Sequence, residues 1–276
     1  MKKDIVSVVV VLYKRGTEDS ETLQSLLNLT GDFVEEVEII LWDNGPLPLS
    51  SAELSAFEGN FVLPVIYVHT PENISLATIY NRAIERCSSN SGIVLFDQDT
   101  HFTKDYFQLG LKALRENPTI NLFLPVVKIN NQIVSPGDFY LVKGKYWKNV
   151  QMGKVAARNK VAIASGMLIR IDFLKATKIR FNEALKLYNI DTDFVIRYGH
   201  TNEFFFVFNC ELVHRISMFE NEPVERVLFR FKDHRKSLWI LSLDRSWLHQ
   251  IVCLFYIMYL SVKFGLRYNN CRFLFR

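Results

Sequence analysis

The sequence predicts an α/β protein, a mixed sheet with helices on its faces, and three observations carry that reading. "IVSVVVVLY" (5–13) is a nearly unbroken β-branched run, as expected of a strand buried on both faces. "ENISLATIYNRAIERC" has apolar residues at 76, 79, 80, 83, 84 and 87, the period of one helix face. Strand-like and helix-like stretches alternate with short connections as far as residue 117.

After the first strand, "TEDSETLQSLLNLTG" reads as a helix. Thr17 is its N-cap, acids fill its first turn, Leu23, Leu26 and Leu27 form its stripe, and Gly31 stops it. "VEIILWDNG" (37–45) is a second strand ending in a turn. "FVLPVIYVHT" (61–70) is a third, with Pro64 marking an edge or a bulge. The helix over 76–87 takes Asn73 or Ser75 as its cap. "GIVLFD" (92–97) is the fourth strand and "TKDYFQLGLKALREN" the helix behind it, for an order β-α-β-β-α-β-α. Further on, 120–127 and 161–171 read as strands separated by a polar, Gly-containing stretch. A short helix spans 172–177, another starts near Asn189–Asp191, and "FFFVFNCELVH" (204–214) is the last strand. From Val224 the chain reads as helical to the end, so the expected division is a domain over 1–223 and a basic, apolar extension over 224–276.

At 276 residues, 49% hydrophobic and 22% charged, the chain has the material for a sizeable core and no compositional mark of disorder. Cys87, Cys210, Cys253 and Cys271 are scattered without metal-ligand spacing and read as reduced thiols of a cytosolic protein. Asp4 interrupts the basic and apolar start and no small-residue cleavage site follows, which favours a first strand over a signal peptide. The net charge of +4 hides an asymmetry. Residues 226–276 hold ten Lys/Arg against two Asp, or +8, leaving about −4 for the remainder. The chain has no G-x-G-x-x-G turn, Walker loop, H-E-x-x-H or G-x-S-x-G elbow, so dinucleotide, P-loop, zinc-protease and serine-hydrolase chemistries lack support.

In open α/β sheets ligands bind beyond the C-terminal strand ends, where Asp43 and Asp97 both fall. "IVLFDQDTH" (93–101) ends an apolar strand in two aspartates. In extended chain Asp97 and Asp99 share a face, and two such carboxylates repel unless a positive group sits between them. Hard oxygen ligands suit Mg²⁺ or Mn²⁺ with a phosphate-bearing ligand completing the shell. The alternative is a turn or helix-capping pair. A second D-x-D, in "NIDTDF", has a capping alternative of its own, with Asn189 or Asp191 as N-cap and a helix dipole that would lower the Asp191 pKa.

Eight pieces in order, "SVVVVLYKR", "IILWDNG", "NISLATIYNRAI", "LFDQDT", "SGMLIRIDFL", "RFNEAL", "NIDTDFVIR" and "ELVH", resemble the family 2 glycosyltransferases, and "FDQDT" resembles the rhamnosyltransferase-like members. The resemblance implies the GT-A fold and an inverting transfer of sugar from a nucleotide donor, with Mg²⁺ or Mn²⁺. L-Rhamnose from dTDP-rhamnose is the first expectation, and a UDP-hexose or UDP-galactofuranose donor the alternative. It implies a glycan acceptor, lipid-linked, in surface polysaccharide (O-antigen or capsule) synthesis, and a peripheral place on the cytoplasmic face of a bacterial inner membrane. By position, Tyr13 would line the base pocket, Asp43 would bond the pyrimidine, and Asn73 and Asn81 would cross the nucleotide. Asp97 and Asp99 would make the metal and ribose–diphosphate contacts, Asp97 counting among the nucleotide-sugar-binding residues as well, and His214 would complete the metal site. Asp191 would be the catalytic base. Ser165, Gly166 and Asp193 would fall on the acceptor side, with a strand bulge as the other reading of the Ser-Gly pair. Tyr188, Ser75 and Tyr80 depart from residues frequent in the family. A reading of another class is a catalytically silent, lipid-anchored scaffold subunit.

"SWLHQIVCLFYIMYLSV" (246–262) has no Asp, Glu, Lys or Arg. As a helix it spans about 25 Å, short of the roughly 30 Å hydrocarbon core. An interfacial helix fits better, with Trp247, Tyr256 and Tyr259 at headgroup level and the flanking basic residues on anionic lipid. A helix packed on the domain or in a dimer is the alternative. The apolar block between basic clusters argues against nucleic acid.

Overall fold

The structure, a computed structural model, describes residues 5–29, 36–88, 91–214 and 223–274. In its first half, β1 (Val6–Leu12), β2 (Val37–Asp43), β3 (Val65–His69) and β4 (Gly92–Asp97) run parallel in the order β3-β2-β1-β4. They are linked by α1 (Glu21–Leu27), α2 (Ser51–Glu58) and α3 (Leu76–Arg86). After β5 (Thr100–His101) come α4 (Asp105–Glu116) and β6 (Leu122–Ile129). The polar stretch that follows holds β7 (Gln132–Ser135), β8 (Gly137–Tyr140), β9 (Lys143–Tyr146), β10 (Gly153–Ala156) and β11 (Lys160–Val161). Then come β12 (Met167–Arg170), α5 (Ile171–Thr177), α6 (Ile190–Thr201), β13 (Phe204–His214), α7 (Val224–Leu243) and α8 (Trp247–Tyr268).

β12 enters antiparallel between β4 and β6, β13 lies parallel to β6, and the main sheet runs β10-β13-β6-β12-β4-β1-β2-β3. Strand alternation sorts the apolar residues of β1 into two cores. Val9 and Val11 face α3, α5 and α6, while Val8, Val10 and Leu12 face α1, α2 and α4. A smaller sheet, β11-β8-β9, stands apart from it, and the four cysteines form no disulfide with one another.

Several expectations change in detail. Ser20, not Thr17, caps α1, because Thr17 donates to Glu53 from its N–H (2.6 Å) and hydroxyl (3.1 Å). Gly31, expected to stop that helix, lies outside the described residues. α2 was not expected, since it buries only Phe57. Its start is nevertheless marked by Ser50, whose hydroxyl accepts from Glu53 N at 3.2 Å. The expected strand over 161–171 is broken, with β11 in the small sheet, β12 in the large one and a bend between. The C-terminal helix is two helices, α7 and α8, folded back on each other.

Candidate active site

Leu12, Asp43 and His69 lie level across β1, β2 and β3, and Asp97 pairs with Val11, so the ends of four parallel strands share one edge. Beyond Asp97 the chain turns at once. Gln98 and Asp99 form a turn before β5, so the two aspartates are neighbours in a turn and not alternate residues of one extended strand. Both are half-buried.

Residues from three other segments hold this turn. The Tyr13 N–H donates to Gln98 Oε1 at 2.8 Å, bringing the end of β1 against it. Ser20 Oγ (2.9 Å) and the Thr22 N–H (3.3 Å) donate to the Gln98 carbonyl. The Thr22 hydroxyl donates to the carbonyls of Asp97 and Thr100 and accepts from Thr100 N. On the far side, Ser165 Oγ accepts from Asp97 N at 3.3 Å and bonds the Thr100 hydroxyl. Ser165 is therefore spent on shaping the turn. Gly166 is fixed by packing: its φ is +81°, and a Cβ there would fall 2.4 Å from Leu212 Cδ1 and 2.8 Å from Pro125 Cγ. Both residues of the pair thus shape the scaffold at this edge.

Asp191 sits in the first turn of α6. It accepts from Thr192 N at 2.7 Å and from Ala164 N at 3.2 Å. It caps nothing; Asn189 is the N-cap residue, at φ 61°, and its side chain turns away to Ser237. Burial raises the Asp191 pKa against the lowering effect of those N–H groups, opposite to the dipole-based expectation. Ala164 and Ser165 are adjacent in sequence, so one short segment holds Asp191 on one residue and the Asp97 turn on the next. The buried Tyr80 hydroxyl feels both carboxylates, and burial together with their charge lifts its pKa well above the usual phenol value.

The other expected residues are placed as follows. Asp43 is buried, accepting from Gly45 N (2.9 Å), Leu49 N (3.2 Å) and the Tyr67 hydroxyl (2.8 Å). Burial and that bond push the Tyr67 pKa up to about 12. A carboxylate with three donors already in place retains one lone-pair site for a base. Asn73, at φ 49°, is exposed, and its Oδ1 accepts from Asn44 Nδ2 at 2.9 Å. Asn81 does not face the nucleotide side with a free group. Its amide donates to the Phe181 carbonyl and to Glu183 and accepts from Phe181 N, clamping α3 to the 181–183 segment. Asp193 lies on another face of α6 from Asp191, and Arg197 holds its carboxylate at 2.8 Å through Nε and 2.7 Å through Nη2. His214 ends β13 with its backbone paired to Thr100, but its side chain lies outside what is described. Tyr13 is exposed at the strand end with Lys14 over its ring.

The three departures from family pattern each find a local cause. Ser75 caps α3. Tyr80 packs its ring on Phe181. Tyr188 packs edge-on against His234 of α7, and its N–H donates to Asp233 at 3.1 Å. Gln98, Ser20, Thr22 and Asp233 were not foreseen. Their only mark in the sequence is polarity where the pattern asks for apolar or indifferent residues. Among the described residues no three His, Cys, Asp or Glu side chains form a metal-holding group.

Most of the chain is similar in fold to several solved structures. Residues 1–349 of S. aureus TarS in complex with UDP align with a TM-score of 0.59 at 16% identity, over 95% of this chain and 72% of that one. The complex of the same TarS fragment with UDP-GlcNAc aligns at 0.56 and 16%, over 91% and 70%. GalNAc-T7 with UDP, GalNAc and Mn²⁺ aligns at 0.60 and 11%, over 80% and 45%. No curated protein sequence matches the chain. The model of the family described as "Glycosyl transferase family 2" matches residues 7–176, from the first strand through the Asp97 turn to the segment that holds Asp191. With the parallel half-sheet and its acidic edge, that match shows that the chain is a glycosyltransferase and belongs to glycosyl transferase family 2.

Proposed function

We propose that the protein transfers a sugar, with inversion, from a pyrimidine nucleoside diphosphate donor bound at the edge of β1, β2 and β4 to a glycan acceptor that reaches Asp191. The observation that carries this is the Ala164–Ser165 segment, which holds the proposed base and the proposed diphosphate-binding turn side by side. As the acceptor oxygen attacks the anomeric carbon, Asp191 takes its proton, the sugar–phosphate C–O bond breaks, and the nucleoside diphosphate leaves with the electron pair. A raised pKa makes Asp191 a stronger base than an ordinary aspartate. Tyr80 on α3, kept neutral by burial, lies within electrostatic reach of both carboxylates.

Asp97 and Asp99 offer hard oxygens on one turn, a donor set that fits Mg²⁺ or Mn²⁺ with phosphate and water filling the other positions. When bound, such an ion neutralises charge on the departing diphosphate. Mn²⁺ in the GalNAc-T7 complex supports this reading.

For the donor, the "FDQDT" form supports dTDP-L-rhamnose. The UDP and UDP-GlcNAc held by TarS support a UDP-sugar as the second reading. The acceptor in this proposal is a lipid-linked glycan on the cytoplasmic face of the bacterial inner membrane. The test is release of nucleoside diphosphate from dTDP-rhamnose and from a panel of UDP-sugars, with wild type and Asp191→Asn. Turnover of one donor that the variant loses supports the assignment; turnover unchanged in the variant removes Asp191 as the base.

A further inference from the structure

We propose that the outward face of α8, with the β8–β9 turn beside it, is a docking surface for an anionic lipid bilayer, on which the helix lies in the headgroup plane. Leu248, Ile251, Phe255, Met258, Val262 and Leu266 recur at intervals of three and four, and each is at least 40% exposed. They form one stripe along a helix of 22 residues, about 33 Å long. The opposite side is already used: Cys253, Ile257, Leu260 and Phe264 pack against α7 and the turn at Cys271–Phe273. A stripe of this length exceeds the scattered apolar exposure normal for a soluble surface.

Charge selects the occupant. No acidic residue occurs between Arg245 and the C-terminus, and the segment from 226 onward carries +8. A second copy of the chain would bring a second such charge against the first, whereas anionic phosphates complement it. Trp247 and Tyr259, both more than half exposed, join an apolar body to a polar tip as headgroup-level residues do. The β8–β9 turn extends the surface. Val142 seats it against Leu238 and Cys253, and Arg245 lies over the Phe139 ring at 5.2 Å. That leaves Tyr140 and Leu141 exposed, followed by Lys143 and Lys145.

α8 is long and apolar enough to cross a membrane, but its partner decides against that orientation. α7 covers one flank and carries Arg226, Arg230, Lys232, Arg235 and Lys236. It is also tied to Tyr188 and Asn189, the residues that lead into Asp191, through Asp233 and Ser237. A spanning α8 would draw those charges into hydrocarbon or part from α7. Lying flat, it keeps the helix pair intact with lipid on the open face only. The surface stands independently of which sugar the enzyme transfers.

The test is flotation of the full chain with vesicles of phosphatidylcholine alone, or mixed with phosphatidylglycerol, at low and high salt. We expect at least about tenfold stronger partitioning onto the mixed vesicles, weakened by salt. Phe255→Glu with Met258→Glu cuts partitioning by about tenfold or more, and Leu141→Glu by about threefold, with melting temperatures unchanged because all three side chains are exposed. Lys263→Glu with Arg267→Glu, which takes the segment from +8 to +4, reduces the preference for phosphatidylglycerol at least about threefold; an unchanged preference overturns the charge argument. Wild type that floats with neither vesicle overturns the proposal. So does a self-associated chain that Phe255→Glu makes monomeric without changing flotation. Retention on vesicles after alkaline carbonate extraction overturns the in-plane orientation.

Discussion

Asp191 shows how burial and hydrogen bonding set the chemistry of one residue. Two backbone N–H groups favour its charged form, and desolvation outweighs them. The sign for catalysis follows directly, because a base works only when deprotonated. Transfer should fall as pH is lowered through the Asp191 pKa, along a limb centred above the ordinary aspartate value of 3.8. A kcat–pH profile with that limb at or below 3.8 contradicts the assignment. Asp191→Asn should lower kcat by roughly 10²–10⁴-fold with nucleotide affinity retained, measured by single-turnover kinetics and calorimetry. Gly166 makes a structural prediction. Gly166→Ala adds a Cβ against Leu212 and Pro125 at a positive φ, and should cost about 2–3 kcal/mol in denaturant unfolding. Asn81→Ala leaves the Phe181 backbone and Glu183 without their amide partner and should cost about 2 kcal/mol by the same measurement.

At the scale of elements, legibility tracked burial. β1, β2, β4 and α3 were plain because runs and stripes of apolar residues face a core that demands them. α2 was invisible to periodicity because it buries one side chain, although Ser50 and Glu53 signalled its start. The small strands between β6 and β12 are short and partly exposed, so no alternation betrays them. The Asp97–Asp99 stretch was legible as an acidic pair with a turn as its alternative reading, and the structure shows the turn; what holds it, Thr22, Ser20 and Ser165, is remote in sequence and left no local mark. α7 was read as part of an appendage, yet Asp233 accepts from the Tyr188 N–H and Ser237 from the Asn189 side-chain amide, just before Asp191. Asp233→Ala should therefore lower kcat several-fold while leaving donor affinity unchanged. Truncation after Asp244 keeps α7 and should leave more transfer activity than truncation after Pro223, compared in a soluble-acceptor assay.

For the molecule as a whole, the family pieces point to the edge proposed as the active site, and the structure supplies what joins them. Tyr13 meets Gln98, Asp97 meets Ser165, and Ala164 meets Asp191, three hydrogen bonds joined through the neighbouring pairs Asp97–Gln98 and Ala164–Ser165. Contacts at those sequence separations leave no local pattern, so that connection was beyond reading from the chain. The charge asymmetry, by contrast, was fully legible. Residues 1–225 carry about −4 and residues 226–276 carry +8, and on that asymmetry rests the proposed division between a donor site and a lipid-facing surface. The measurement that tests the central claim most directly is thermal unfolding with UDP and with dTDP, each with and without Mn²⁺, for wild type and Asp97→Asn. A nucleotide at about 100 times its Kd adds about 2.7 kcal/mol, a readily seen rise in Tm. The account predicts a rise with one nucleotide that requires Mn²⁺ and is lost in Asp97→Asn. No rise with either nucleotide, or a rise indifferent to both the metal and Asp97, would contradict it.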